Sequence, residues 1–451
     1  MKCLPAAKIP QAQGNVLHDW HAEVLAIRAF NRFVLDECKA MAQGHPSEFL
    51  RWRTADEIDS GSSSNSNSNS NTNTKSEDSQ EQESEWQGQP FAWKQDVLIH
   101  MYCSEAPCGD ASMELIMESQ EDATPWDLPP TPLSSSTPTS TSTSSASAAS
   151  PLPPLPPLPG RAYFSRLGVV RRKPARSDAP PTLSKSCSDK LALRQCLSLL
   201  SSAAALLVRP RDVYVHALVL PASRHSEAAC RRAFSASSPD GRMGGLASTA
   251  EQRREREKGE GRKYSYRFRP FVVETTTSEF AYSQRAVANT NAYANANGII
   301  SDNEHASNAG AAKVAASNIS AAWTRSGLEE TTLGGILQGR KQGAADARGA
   351  SFASRRRVWG LALEVAGLLI LRQGKHGEGE GQRERGDEEG DARRDHSSAR
   401  IAEIRKALEA ETYGGMKGCE LLEPRRRAKD KARAEALKGW VRNLGDESFT
   451  L

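Results

Sequence analysis

The chain has 451 residues, a net charge of +4, 38% hydrophobic and only 6% aromatic side chains. So small a net charge excludes a polycation that coats nucleic acid by bulk attraction, and any phosphate site must come from local clustering. Several long stretches lack large apolar side chains and cannot offset the entropy of ordering. Removing them leaves on the order of 270 residues, the size of one α/β domain interrupted by insertions.

The eight cysteines (3, 38, 103, 108, 187, 196, 230 and 419) follow no disulfide framework. They fit a reducing compartment, with some thiols free and some on metal. Lys2 is followed by Pro5 rather than an apolar run, so no signal peptide is expected. Val358 to Leu371 is too short to span a bilayer and contains Glu364, so a soluble protein without a membrane partner is expected.

In chain order, a short extended piece and a turn at Gln13-Gly14-Asn15 lead to an amphipathic helix opening at His21-Ala22-Glu23. Val24, Leu25, Ala26, Phe30, Phe33 and Val34 line one face, and Gly44 and Pro46 stop it after Ala42. A Ser/Asn insertion covers about 55–89. Val97 to Tyr102 is a buried strand that runs through Pro107-Cys108 into a helix over Ala111 to Met117, with Cys108 at its N-terminal end. A Pro/Ser/Thr tract over 120–160 ends in PLPPLPPLPG and reads as a spacer. Ser186 or Ser188 caps a third helix that runs to Leu207, with Cys187 at its start. Asp212 to Leu220 alternates like a strand, and a charged insertion follows over 223–261. Phe268 to Phe280 is strand-like, 286–318 is an Asn/Ala insertion, and 333–343 gives strand, tight turn and strand. Arg355-Arg356-Arg357 opens an apolar helix to Leu371, 373–398 is a spacer, and Ile401 to Trp440 reads as basic helices.

His21, Cys108 and Cys187 share a helix-start context. Three ligands of mixed N/S type with one open position is the composition of a catalytic zinc site, whereas a closed structural site needs four. Zinc nucleobase deaminases combine His-x-Glu with two cysteines, the Glu not binding metal. This chain has His21-x-Glu23 and Pro107-Cys108 but no close Cys-x-x-Cys pair. His-x-Glu also occurs by chance, so spacing alone leaves the reading open.

HAEVLAIRAFNRF, SEAPCGDAS and KSCSDKLA together resemble the adenosine deaminases that act on RNA (the ADAR family). The loop RRKPARSDAPPTLS, the block LGGILQGRKQG and the closing KGWVRN resemble its tRNA-specific branch, especially the fungal members. The resemblance implies one deaminase domain over 1–451, with a cytidine-deaminase-like α/β core sheet flanked by helices. A C-terminal helical extension would surround a buried polyanion, with insertions at 55–89, 120–160, 223–261, 286–318 and 373–398 expected to be disordered. His21, Cys108 and Cys187 would hold zinc, and Glu23 would be the general acid/base that moves protons as adenosine becomes inosine and ammonia. The substrate would be tRNA, at the anticodon-loop adenosine 3′ of the anticodon in tRNA-Ala, with no DNA partner. An unpaired loop adenosine is inexpensive to extrude from its stack.

The resemblance further implies one buried inositol hexakisphosphate. By position, Arg28 and Lys190 would contact it, Lys173 and Asp19 would relay it to zinc, and Tyr413, Lys417, Lys429 and Trp440 would complete its C-terminal ligands. Ile27 and Leu193-Arg194 depart from the family pattern, and Arg194 would substitute for a missing donor. Arg355-Arg356-Arg357 and Arg425-Arg426-Arg427 would instead contact tRNA phosphates. Family members carry a further segment before Met1-Lys2-Cys3-Leu4-Pro5, so an N-terminally incomplete domain is expected. Alternatives are a deaminase of double-stranded RNA or mRNA, and a pseudo-deaminase that binds RNA or inositol phosphate. The basic clusters fit nucleus or cytoplasm alike.

Overall fold

The computed structural model describes residues 2–54, 57–58, 87–120, 158–160, 163–173, 179–237, 239–246, 266–283, 285–290, 317–340, 346–378 and 388–451. The expected insertions at 55–89, 120–160 and 286–318 lie largely outside them.

Helix α1 (Ala22–Ala42) follows the predicted bounds. Its apolar spacing buries Leu25, Val34, Leu35, Cys38 and Met41 along one side, each large side chain contributing roughly 1.5–3 kcal/mol. Glu23 in the first turn and Lys39 in the last oppose the helix dipole, and Gly44 at φ +99° ends the helix.

The strands are short. Among the described residues they are β1 (Leu50–Trp52), β2 (Phe91–Trp93), β3 (His100–Tyr102), β4 (Leu158–Pro159), β5 (Arg171–Arg172), β6 (Val208–Arg209), β7 (Ala217–Pro221), β8 (Val272–Thr276), β9 (Ile319–Trp323), β10 (Glu329–Leu333) and β11 (Ile336–Leu337). β3, β7 and β8 form a parallel sheet in which Met101 faces Leu218 and Val219 faces Glu274. β2 pairs antiparallel with β1 and parallel with β6, while β9, β10 and β11 form an antiparallel meander. The expected buried strand at Val97 to Tyr102 is trimmed to β3 and is not buried, with His100 and Tyr102 exposed; that at Asp212 to Leu220 shifts to β7, and that at Phe268 to Phe280 is trimmed to β8.

The predicted third helix is two helices, α3 (Cys187–Leu197) and α4 (Ser202–Leu207), after the small α2 (Met113–Glu118). Ser198 takes φ +60° and breaks the run. The carbonyls freed there are held by guanidinium groups: Arg425 donates to Leu197 O at 2.8 Å and Leu200 O at 2.6 Å, and Arg194 donates to Ser198 O at 3.2 Å and Leu200 O at 3.0 Å. The apolar Cys187–Leu207 stretch is 78% buried inside the fold, as core helices are.

The 223–261 segment departs further from expectation. Its described part contains α5 (Glu227–Phe234), capped by Ser226, with Ala229, Cys230, Ala233 and Phe234 buried and Met243 buried beyond it. Likewise α6 (Arg355–Glu378) runs past Leu371, and α7 (Glu388–Leu408) begins inside the expected 373–398 spacer. α8 (Tyr413–Gly418) and α9 (Glu423–Glu435) complete the chain. α6 packs beside α1 with Trp359 in the core, its Nε1 donating to Leu408 O at 2.8 Å.

The C-terminal tail docks on the segment before α1. Asp446 is buried and accepts from Gly14 N at 2.8 Å, His18 Nε2 at 2.8 Å and Arg355 Nη1 at 3.1 Å. Burial, then the nearby Arg355 charge, lowers His18 to about 4, so its ring is neutral. Nε2–H then donates to Asp446 while Nδ1 accepts from Asn443 Nδ2 at 3.2 Å. Asp446→Ala strands two buried donors, Gly14 N–H and His18 Nε2–H, and leaves Arg355 only the backbone carbonyl, so a stability loss of roughly 3 kcal/mol is expected in urea titration.

Candidate active site

His21 is the residue before α1, extended at ψ 148°, so its ring leaves the helix axis. Asp19 fixes it twice, accepting from the His21 backbone N–H at 3.0 Å and lying 2.9 Å from Nδ1 through the same oxygen. With Nδ1 so engaged, Nε2 is the atom left to bind a ligand, the arrangement by which a carboxylate orients a metal-binding imidazole.

The other Asp19 oxygen accepts from Lys173 Nζ at 3.0 Å, from Ser184 Oγ at 2.6 Å and from Lys190 Nζ. Burial would raise the Asp19 carboxyl, but Lys190, Lys173 and His21 outweigh it and hold the carboxyl well below its ordinary range. Burial also pulls His21 down, yet the Asp19 hydrogen bond lifts it to about 9.

Cys108 sits on the turn after β3. It does not start a helix as predicted, because Gly109 at φ +106° intervenes before a short 3-10 turn at Asp110–Ser112 and α2. It faces the N-terminus of α3 instead: Cys187 N–H points at Cys108 Sγ at 3.4 Å and Ser188 N–H donates to Cys108 O at 3.0 Å. Cys187 is the first residue of α3, capped by Ser186, whose hydroxyl accepts from Asp189 N at 3.1 Å. Hydrogen bonding within the thiol pair, helped by Lys173 against burial, lowers Cys108 to about 6. Burial and the neighbouring Cys108 push Cys187 well up. Lys173 bridges both halves, 3.0 Å from Asp19 and 3.2 Å from Cys187 Sγ.

Glu23 is half-buried in the first turn of α1, and its charge opposes ionisation of both Cys108 and Cys187. His21 acts on Cys108 with the opposite sign. One imidazole, the buried Cys187 thiol, the half-buried Cys108 thiol and a carboxylate therefore act on one another electrostatically, although the ligand atoms of His21, Cys108 and Cys187 do not all lie within 4.8 Å of one another. The sequence reading missed Cys3, whose buried Sγ is 3.7 Å from His21 Nδ1. Cys3, Asp19 and His21 have ligand atoms within 4.8 Å of one another. Both Asp19 oxygens are already committed, however, so Asp19 is an orienting group rather than a free donor.

Loop contact at this site is close. A Cβ on Gly109 would lie 2.3 Å from Ser186 Oγ and 2.4 Å from its Cβ. Gly109→Ala is expected to cost roughly 1–3 kcal/mol from backbone strain alone. Chemical denaturation reads this, and an unchanged midpoint would contradict the close packing of the two cysteine loops.

A second set of residues, with Arg28 of α1 among them, forms a part-buried cationic cluster. Burial, then Arg355, lowers Arg28 to about 10; burial, then Arg425 and Arg28, lowers Arg194 to about 9. Lys429 falls to about 6 from burial and from Arg433, Lys417, Arg425 and Arg194. Tyr413 and Trp440 belong to the same wall. Lys417 and Arg355 approach the Tyr413 ring at 5.5 and 5.7 Å, and Lys185 and Arg433 approach Trp440 at 5.5 and 5.7 Å. Lys190 and Lys173, expected on two sides of a relay, both converge on Asp19. The expectation that the two Arg triplets meet tRNA phosphates fails for two members: Arg355 is tied to Asp446, and Arg425 is buried on backbone carbonyls.

Comparison with known proteins agrees with the resemblance. Residues 64–246 match the family described as "Adenosine-deaminase (editase) domain", a span that holds Cys108 and Cys187 but not His21 or Glu23. The chain is 35% identical over 285 residues to tRNA-specific adenosine deaminase 1 of Schizosaccharomyces pombe, covering 63% of this chain and 56% of that protein. It is 28% identical over 221 residues to tRNA-specific adenosine deaminase 1 of Saccharomyces cerevisiae, covering 49% and 44%. The chain thus spans about half the length of the relatives it matches. Over part of its length this chain is thus similar to an adenosine-deaminase (editase) domain and to two yeast proteins named tRNA-specific adenosine deaminase 1.

Proposed function

We propose that this chain is a zinc-dependent tRNA adenosine deaminase that converts the adenosine 3′ of the anticodon in tRNA-Ala to inosine. The observation that supports the reading is that Cys187 N–H lies 3.4 Å from Cys108 Sγ and that Lys173 joins Cys187 to the Asp19 that orients His21. The donor set fits zinc: two thiols, one of them readily ionised, and one imidazole nitrogen leave a position open for chemistry. Zinc, when bound by His21, Cys108 and Cys187, supplies a Lewis acid that brings a water to ionise near neutral pH.

The remaining steps belong to the protein. Glu23 accepts one water proton and delivers it to adenine N1 as C6 is attacked, then takes the proton of the new C6 hydroxyl and gives it to the amine as the C6–N bond breaks, so adenosine and water become inosine and ammonia. Asp19 keeps the His21 proton on Nδ1, and Lys173 balances the negative charge of Asp19 and the thiols.

Inositol hexakisphosphate is the proposed ligand of the cationic cluster. Lys429 has no carboxylate at ion-pair distance among the described residues, and the charges that lower it most, Arg433, Lys417, Arg425 and Arg194, are all positive. Burying such charges uncompensated is costly, and a polyanion removes the cost. The test of substrate is inosine formation, by nucleoside mass spectrometry, in a tRNA-Ala transcript and in a long RNA duplex. Inosine 3′ of the anticodon and none in the duplex is expected; the reverse would move the protein to the duplex-acting branch.

A further inference from the structure

Each proposed zinc ligand has a buried aspartate two residues away: Asp19 before His21, Asp110 after Cys108 and Asp189 after Cys187. Asp19 is neutralised by lysines. The other two are neutralised by arginines from one segment, α5 and the turn after it, which composition alone marks as a charged insertion.

Arg232 donates through Nε to Asp110 Oδ2 at 3.2 Å and through Nη2 to Asp110 O at 3.1 Å, and its fork also holds Glu114 Oε2 at 2.9 Å. Arg242 donates to Asp189 Oδ1 at 2.6 Å. The opposite oxygen of Asp189 accepts from Arg171 N at 2.9 Å and Ser186 Oγ at 2.6 Å. The two arginines are also joined to each other: Arg242 N donates to Arg232 O at 3.0 Å, and Arg242 Nε to Ala233 O at 2.9 Å. Buried Phe234 and Met243 anchor the segment in the core.

We propose that Arg232 and Arg242 are positioning residues that clamp the Cys108 and Cys187 loops at the separation a shared metal requires, an inference that rests on the zinc reading above. The two cysteines come from separate stretches of chain that touch through Ser188 Oγ, which donates to Pro107 O at 2.9 Å and accepts from Ala111 N at 3.1 Å, and the two arginines hold the aspartates on either side of that contact. A planar guanidinium meets a carboxylate and a carbonyl together, which a lysine ammonium cannot do with the same geometry.

The test is zinc affinity of the full chain by competition with a chromophoric chelator, alongside the thiolate-to-cobalt band of the Co2+-loaded protein. Arg232→Lys and Arg242→Lys are each expected to weaken zinc binding by about 10–100-fold and to alter the cobalt band. Arg231→Lys, on the same helix but half-exposed and only 4.0 Å from Glu227, is expected to leave both unchanged. Val365→Ala, buried on α6 and away from the clamp segment, lowers stability and is expected to keep zinc affinity. Should Arg232→Lys not fold, Glu114→Gln loosens the same fork and is expected to show a smaller loss of the same sign. Wild-type affinity in the clamp variants, or an equal loss in Val365→Ala, overturns the clamp alone. Wild-type protein that takes up neither metal overturns the zinc reading and the clamp with it.

Discussion

Glu23→Ala is expected to lower inosine formation by about 1,000-fold, within the range that loss of a general acid/base produces. Glu23 sits in the first turn of α1 without a core role: it is half-buried, and Leu25, Val34 and Leu35 carry the packing. Zinc content and the unfolding midpoint should therefore hold. Glu23→Gln separates shape from proton transfer, since it keeps the side-chain volume and removes the exchangeable acid. It should lose as much activity as alanine. A glutamine variant retaining a tenth of wild-type rate would show that the carboxylate does not shuttle the proton.

The cationic cluster makes the second large expectation, a stability that depends on pH and on polyanion together. In anion-free protein the Lys429 ammonium is disfavoured down to about pH 6, while in the unfolded chain it keeps its proton up to roughly pH 10.4. Between those values unfolding takes up a proton. Stability therefore falls as pH drops from 10 toward 6, by at most about 1.4 kcal/mol per pH unit for this one group, and levels off below. Bound inositol hexakisphosphate keeps Lys429 charged in the folded state too, which removes the slope and raises the melting temperature by mass action. Lys429→Met should flatten the anion-free profile by a different route and raise anion-free stability. Melting curves from pH 6 to 10, with and without the hexakisphosphate, measure both effects. A profile flat in both conditions, with no shift on adding the anion, would contradict a polyanion site.

What the sequence made legible follows from which interactions are local. α1 could be read to its last residue because its period, its acidic first turn and its glycine stop all lie within one stretch. His21, Cys108 and Cys187 stand out as candidates because each carries its own contiguous motif. The break at Ser198 could not be read, because it is set by Arg425, which reaches carbonyls more than two hundred positions away. α5 was hidden by its charges: Glu227, Arg231 and Arg232 dominate the composition, while the four buried positions between and beyond them are few. The same masking concealed Arg232 and Arg242, whose importance appears only when their aspartate partners fold against them. Cys3 carried no motif at all, and its place beside His21 comes from the short bridge between Cys3 and Asp19.

The central claim, that His21, Cys108 and Cys187 converge on one zinc ion, is tested most directly by X-ray absorption at the zinc edge of the purified chain. Two sulfur scatterers at about 2.3 Å, with one imidazole nitrogen and one further light atom at about 2.0–2.1 Å, is the predicted shell. A shell with a single sulfur would place the metal on Cys3, Asp19 and His21 instead, and would contradict the account.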